Sequence, residues 1–415
     1  LKTIKEFLMS NPSFDIVVFG ATSFVGQILS QYLFDQYGAS GIRWAMAGRS
    51  QQKLEQLRSQ LGEAAAEIPL LIADAADDAA LAELCKQTQV VISTVGPYAL
   101  YGESMIRACC DSGTDYCDLT GEAQWIKRMQ DRYEEKAKET GARIVHSCGF
   151  DSIPSDLGVH FLQQHAQAKF NSHCNNILMR VKQLTGTASG GTIASVINLT
   201  KEAVADKKIR KEMANPYSCC PADHGFTVRQ NHVGVSYDNE YNSWVAPFIM
   251  AAINTRIVHR SNALSGSAYG TDFMYEEAVI KGDGEKGEKR AKKAASDARK
   301  FMTLVAFAPT RWILERFILP KPGEGPTPEE QLNGSYDLRF MGTSPQGEKI
   351  EVKVTGDRDP GYGSTAKMLG QAACSIAFDI DQDTAGGFWT PATLLGDRLI
   401  ERLKSDAGLT FDVIG

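Results

Sequence analysis

Between Phe14 and Gly149 the chain alternates six short apolar runs with helical segments, and no other feature limits the fold so strongly. The runs are Asp15–Ala21, Arg43–Arg49, Pro69–Ala75, Val90–Gly96, Asp115–Gly121 and Ala142–Gly149. Each is too continuous in Val, Ile, Leu and Ala to keep one wet face, as expected of parallel strands covered on both sides. The first intervening segment sets Val25, Ile28, Leu29, Tyr32 and Leu33 on one face of a 3.6-residue period. Such repetition predicts an α/β fold, a Rossmann-type doubly wound parallel sheet with right-handed crossovers.

Ligands of these sheets lie beyond the carboxyl ends of the strands. The first strand runs into Gly20-Ala21-Thr22-Ser23-Phe24-Val25-Gly26, directly followed by the amphipathic helix. Gly20 permits a tight turn and Gly26 lets the helix approach the sheet. Between them, backbone N–H groups at the helix start form a cradle for a pyrophosphate. The spacing departs from strict Gly-x-Gly-x-x-Gly, because Ser23 stands where some variants carry the middle glycine.

The second strand ends Ala47-Gly48-Arg49-Ser50, with Lys53 one turn later, where an NAD site would carry Asp or Glu. Two cations and no carboxylate suit a 2′-phosphate, so NADP(H) is the expected cofactor. A charge-assisted bond of about 1.5–3 kcal/mol implies a preference of roughly ten- to over a hundredfold. The competing reading of Arg49 is the cap of the next helix. Asp74, at the end of the third strand, is expected near the adenine or, equally, as a helix cap. The fourth strand ends Ser93-Thr94-Val95-Gly96-Pro97-Tyr98, which sets Thr94, Gly96 and Pro97 along the nicotinamide half.

After residue 151 the rhythm changes. Asn176–Gly186, Phe226–Val235 and Ser267–Ile280 read as longer strands between helices, and Ser335–Met341 with Lys349–Thr355 reads as an antiparallel hairpin. The expected division is an NADP-binding domain at 13–150, a second α+β substrate and oligomerisation lobe at 151–355, and C-terminal helices at 356–415 that return to the first domain. A homodimer is one outcome the second lobe allows.

Composition narrows the function. A net charge of −6 argues against nucleic-acid binding, and 43% hydrophobic residues argue against disorder. Nine cysteines without framework spacing suit a reducing compartment. Cys219, Cys220 and His224 fall short of the four well-spaced ligands of a zinc site, so no metal is expected. Residues 1–11 show no secretory pattern, and Tyr241–Thr255 is too short to span a bilayer. A cytoplasmic location follows as the expectation. The segment 281–319 pairs a basic run with apolar Phe301, Leu304, Val305, Ala308 and Trp312 at helical spacing. It reads as a solvated helix start leading into a core helix, or as a basic amphipathic surface that touches lipid.

Several blocks resemble the saccharopine dehydrogenase-like oxidoreductases, in the branch that includes trans-acting enoyl reductases. They are the 20–26 turn, Gly96-Pro97-Tyr98 with Gly102, Asp115–Glu122, Cys148–Asp156, Ser189-Gly190-Gly191-Thr192, the 322–326 connection, Gly356–Tyr362 and Gly386–Pro391. The resemblance implies an NADP(H)-dependent oxidoreductase with a substrate-facing second lobe and leaves the substrate open.

Beyond hydride transfer, such chemistry needs orientation, a dry pocket and a proton source. Tyr98 is the preferred group for polarising a carbonyl or delivering a proton; its competing role is to cover the nicotinamide ribose. Asp118 and Asp151, in glycine-flanked turns, are the acid–base candidates, each also able to bond its own backbone. The expected reaction is reduction of an enoyl or carbonyl group in a small, hydrophobic substrate. Saccharopine-type amine/imine chemistry and a non-catalytic NADP-binding scaffold at lipid surfaces are the alternatives.

Overall fold

All six apolar runs form strands in the structure, a computed structural model that describes residues 12–186, 190–314, 316 and 325–415. They are β1 (Phe14–Phe19), β2 (Trp44–Gly48), β3 (Leu70–Ile72), β4 (Thr88–Ser93), β5 (Asp115–Asp118) and β6 (Arg143–Val145). Every ladder among them is parallel, in the order β3-β2-β1-β4-β5-β6. The order reverses between β1 and β4, which opens a crevice at their carboxyl ends.

The second sheet is mixed. It contains β7 (Asn176–Thr185), β8 (Ser236–Asp238), β9 (Ser243–Pro247), β10 (Met274–Gly282), β11 (Ser335–Thr343) and β12 (Lys349–Gly356). β7 and β10 run parallel, and the β11–β12 hairpin is antiparallel as its sequence predicts. Two expectations fail here. Phe226–Val235 forms no strand; instead the Gln230 side chain takes ladder positions, accepting from Tyr275 N at 3.1 Å and donating to Phe273 O at 2.9 Å. The strand expected from Ser267 begins only at Met274, because Gly266, Ser267 and Gly270 adopt positive φ and turn the chain.

The C-terminal part contributes more than helices. β13 (Gly387–Trp389) adds a seventh parallel strand beside β6, and β14 (Leu409–Val413) extends the second sheet beside β12. Between β12 and β13, the helix Gly363–Phe378 is buried along nearly its whole length. Its Gly370 lies against Tyr32 of the helix Phe24–Tyr37, and Gln371 Nε2 donates to Tyr32 Oη at 2.7 Å. Asp156, fully buried, binds three elements together: Ser261 Oγ donates to it at 2.5 Å and Ala392 N at 2.8 Å. Burial pushes its carboxyl up to about 7.

The stretch 241–255 supplies β9 and the start of the buried helix Ala251–Leu264. Among the described residues, no helix is long and apolar enough to cross a membrane. The helices Gly284–Ala306 and Ala308–Ile313 do not pack as a core helix would. Val305 is buried, yet Leu304, Phe307 and Trp312 are 43%, 61% and 61% exposed. Residues 315 and 317–319 of that segment, 322–324 of the connection, and Ser189 lie outside the described residues.

Candidate active site

The turn after β1 is built as its glycines require. Gly20 has φ +86°, and a Cβ there would approach Thr94 Oγ1 to 2.8 Å; a Cβ on Gly26 would lie 2.2 Å from Gly20 O. Ser23 caps the helix Phe24–Tyr37, its Oγ accepting from Gly26 N at 3.0 Å and meeting Thr94 Oγ1 at 2.9 Å. Thr94 in turn donates to Gly20 O at 2.9 Å. Ser23 and Thr94 therefore shape the loop. Ala21 N is taken by Ala47 O, whereas the amides of Thr22, Phe24 and Val25 have no acceptor among the described residues. The Phe24 ring meets Tyr362 edge-on at 4.7 Å, with Gly325 against both.

Arg49 and Lys53 extend into solvent from the end of β2 and have no ion-pair partner among the described residues. The cap of the following helix is Ser50, which accepts from Lys53 N, so Arg49 is free of that duty. The end of β2 abuts the glycine turn: a Cβ on Gly48 would lie 3.7 Å from Thr22 Oγ1. Asp74, exposed, accepts from Ala76 N at 3.0 Å, while Asp77 caps the next helix. Free amides at a helix start beside two uncommitted cations fit a pyrophosphate and a 2′-phosphate.

On the other side of the crevice, Tyr98 has a different job from the one its sequence position suggests. Its ring is buried beside Trp125 at 5.4 Å, and its hydroxyl donates to Ser93 O at 2.8 Å. Burial, reinforced by the Asp118 charge, holds that hydroxyl well above the ordinary tyrosine value. It pins the Gly96-Pro97 turn to β4 and is ill suited to give up a proton. Glu122, which the sequence marks only as the end of the Asp115–Glu122 block and not as a site residue, secures the same turn. Its carboxylate accepts from Tyr98 N at 2.9 Å, Ala99 N at 3.1 Å and Ser195 Oγ at 2.9 Å. Only the Gly121-Glu122 step after a strand end could have drawn attention to it.

The two aspartates divide sharply. Asp118 is buried and saturated: its oxygens accept from Thr120 N and Ser147 N, each at 3.1 Å, and from Tyr116 Oη at 3.1 Å, and one meets His146 Nδ1 at 2.7 Å. Asp151 is half-buried between the glycines that follow β5 and β6. One oxygen lies 3.6 Å from where a Gly121 Cβ would stand, the other 2.8 Å from the Gly149 position. No other side chain bonds its carboxyl among the described residues, and burial, with Asp118 adding to it, pushes it up to about 7. The nearby thiol of Cys148 is buried and raised well above its usual value, an inert group. Cys219 and Cys220 are buried, and His224 accepts from Phe226 N.

Comparison with known proteins agrees with this geometry. The family described as saccharopine dehydrogenase NADP binding domain matches residues 16–145. A trans-acting enoyl reductase of Mycobacterium ulcerans (strain Agy99) is 36% identical over 416 residues, covering 94% of this chain and 95% of its own. One from Mycobacterium tuberculosis (strain ATCC 25618 / H37Rv) is 35% identical over 407 residues, with coverages of 94% and 95%. Among solved structures, apo saccharopine dehydrogenase (L-Glu forming) from Saccharomyces cerevisiae aligns with 97% of this chain and 100% of its own at a TM-score of 0.54 and 11% identity, a likeness of fold. The chain belongs to the saccharopine dehydrogenase-like family and is an NADP-dependent oxidoreductase.

Proposed function

We propose that the chain reduces the C=C bond of an α,β-unsaturated carbonyl in a hydrophobic substrate, with Asp151 as proton donor. The observation that carries this reading is the Asp151 carboxyl beyond β5 and β6, which no other side chain bonds among the described residues and which is pushed up to about 7. The 35–36% identity with trans-acting enoyl reductases supports the choice of reaction. The free amides of Thr22, Phe24 and Val25, with Arg49 and Lys53, would hold NADPH, which when bound would supply the hydride and its electron pair for the β-carbon. Asp151 gives its proton to the α-carbon, so C=C becomes C–C, and solvent restores the proton. Glu122 and Tyr98 act as positioning residues by fixing the Gly96-Pro97 turn. Leu100 and Tyr101, more than half exposed beside that turn, offer apolar surface to the substrate. The amine/imine alternative needs an uncommitted cation for a carboxylate. Arg256 is committed instead to Ser218 Oγ and to the carbonyls of Ala252 and Met213.

Donation requires the protonated acid, so turnover is expected to hold below pH 7 and fall above it. Asp151→Asn should lower kcat by roughly 10²–10⁴-fold, erase that alkaline limb and leave NADPH affinity unchanged. A variant that keeps wild-type kcat on a panel of enoyl thioesters refutes the role. The exposed Met302, Leu304, Phe307, Trp312 and Ile313, next to Arg299 and Lys300, support a second element of the reading, peripheral contact with anionic lipid.

A further inference from the structure

Outside the NADP turn, one cleft holds polar atoms that the protein leaves unmatched. It has a volume of about 50 Å³ and lies where the helix Ala123–Thr140 of the first sheet faces the helices Gly190–Ala205, Lys207–Ala214 and Ala251–Leu264. Gly121, Ala123, Gln124, Leu199, Met213 and Ala252 are among its lining residues. Gln124 is 3% exposed, yet neither its Nε2 nor its Oε1 has a hydrogen-bond partner among the described residues. The backbone amides of Ala123 and Gln124, in the first turn of the helix, also have no acceptor among the described residues. Gly121, which lines the cleft, also lies near the Asp151 carboxyl.

A buried side-chain amide normally finds partners for both ends. Leaving both ends unmatched is costly unless a ligand completes them. A carboxylate or an enolate oxygen would satisfy only Nε2 and leave Oε1 facing a second acceptor or nothing. A group that offers a carbonyl and an N–H together satisfies both. Leu199, Met213 and Ala252 give the chain that carries such a group an apolar wall, and Lys127, Glu212, Ser218 and Arg256 complete the lining.

We propose that this cleft binds an amide group, with Gln124 Nε2 donating to its carbonyl and Gln124 Oε1 accepting its N–H. Two molecules could bring that chemistry, an amide-bearing acyl substrate or the carboxamide of the nicotinamide ring. The inference draws on the enoyl reading only for its choice of probe.

The test measures equilibrium binding to wild type, Gln124→Leu and Gln124→Met. The probes are S-butyryl-N-acetylcysteamine, S-ethyl thiobutyrate (the same thioester without the amide) and NADPH. If the amide comes from the substrate, both variants lose at least tenfold in affinity for the N-acetylcysteamine ester and nothing for the ethyl ester. If it comes from the cofactor, NADPH affinity falls at least tenfold and the esters are unaffected. A change below tenfold for both the N-acetylcysteamine ester and NADPH overturns the proposal. The ligand-free variants should melt no lower than wild type, since each removes an unpaired buried amide; if one fails to fold, the other is read. Failure of every enoyl thioester to support NADPH oxidation would sink the proposed reaction and leave this binding comparison standing.

Discussion

Arg49→Ala isolates the claim that a 2′-phosphate decides the cofactor. In the ligand-free protein Arg49 extends from the end of β2 with no ion-pair partner among the described residues, so its removal should leave stability unchanged. Its role then lies wholly in binding. A hydrogen bond to a charged group contributes about 1.5–3 kcal/mol, and exposure to screening ions favours the lower end. About 1.5 kcal/mol is roughly tenfold in Kd. NADPH should therefore bind about tenfold more weakly to the variant, and NADH, which lacks the phosphate, equally well to both. Lys53→Ala in the same background should weaken NADPH further without touching NADH. Fluorescence titration of both dinucleotides at low and high salt reads all of this. Wild type should also lose NADPH affinity with salt more steeply than the variant. Equal weakening of NADPH and NADH would refute the reasoning, since Arg49 would then serve the part of the molecule the two share. An unchanged preference would remove Arg49 from the site.

Three further outcomes follow from the same structure. Tyr98→Phe removes a buried bond to Ser93 O and should cost about 1 kcal/mol in urea unfolding with kcat within a few-fold of wild type; a hundredfold loss of kcat at normal NADPH affinity would return Tyr98 to the chemistry. Burial pushes Asp156 and Glu277 up to about 7, far above their unfolded values near 4, so the native state keeps protons that the unfolded chain releases. That stability is present below pH 4 and lost as pH rises through 7, by at most about 1.4 kcal/mol per pH unit for each group. The urea midpoint should thus be higher at pH 6 than at pH 8, with Asp156→Asn flattening the slope; a higher midpoint at pH 8 contradicts it. Flotation with anionic vesicles should carry the protein, and Phe307→Ser with Trp312→Ser should abolish it; equal flotation of the double variant argues against lipid contact there.

The first sheet was legible because its information is local: each strand carries its own apolar run, and Gly20 and Gly26 sit where backbone meets backbone. The two added strands were not. Gly387–Trp389 is three residues long, and only its alignment with Arg143–Val145, some 240 positions earlier, makes it a strand. Leu409–Val413 depends likewise on β12. The same division runs through the site. Arg49 and Lys53 stand exposed and without an ion-pair partner among the described residues, a state that needs no distant segment and so can be read locally. Tyr98 and Asp118 looked like reagents from their place after strand ends, but a strand end also needs its turn held, and both spend their polar atoms on that. Asp151 looked no different from Asp118 in sequence; what separates them is how many donors surround each carboxyl, which only packing decides. Gln124 is the extreme case. In sequence it is one polar residue in the first turn of the charged helix Ala123–Thr140, where exposure is the ordinary expectation. Its burial is imposed by the helices between Gly190 and Ala214 and by Ala251–Leu264, elements of the other lobe. A residue whose environment is assembled from three distant helices leaves no mark on its own neighbours. The substrate, if it is read by such residues, is for that reason the part of the function a sequence conceals longest.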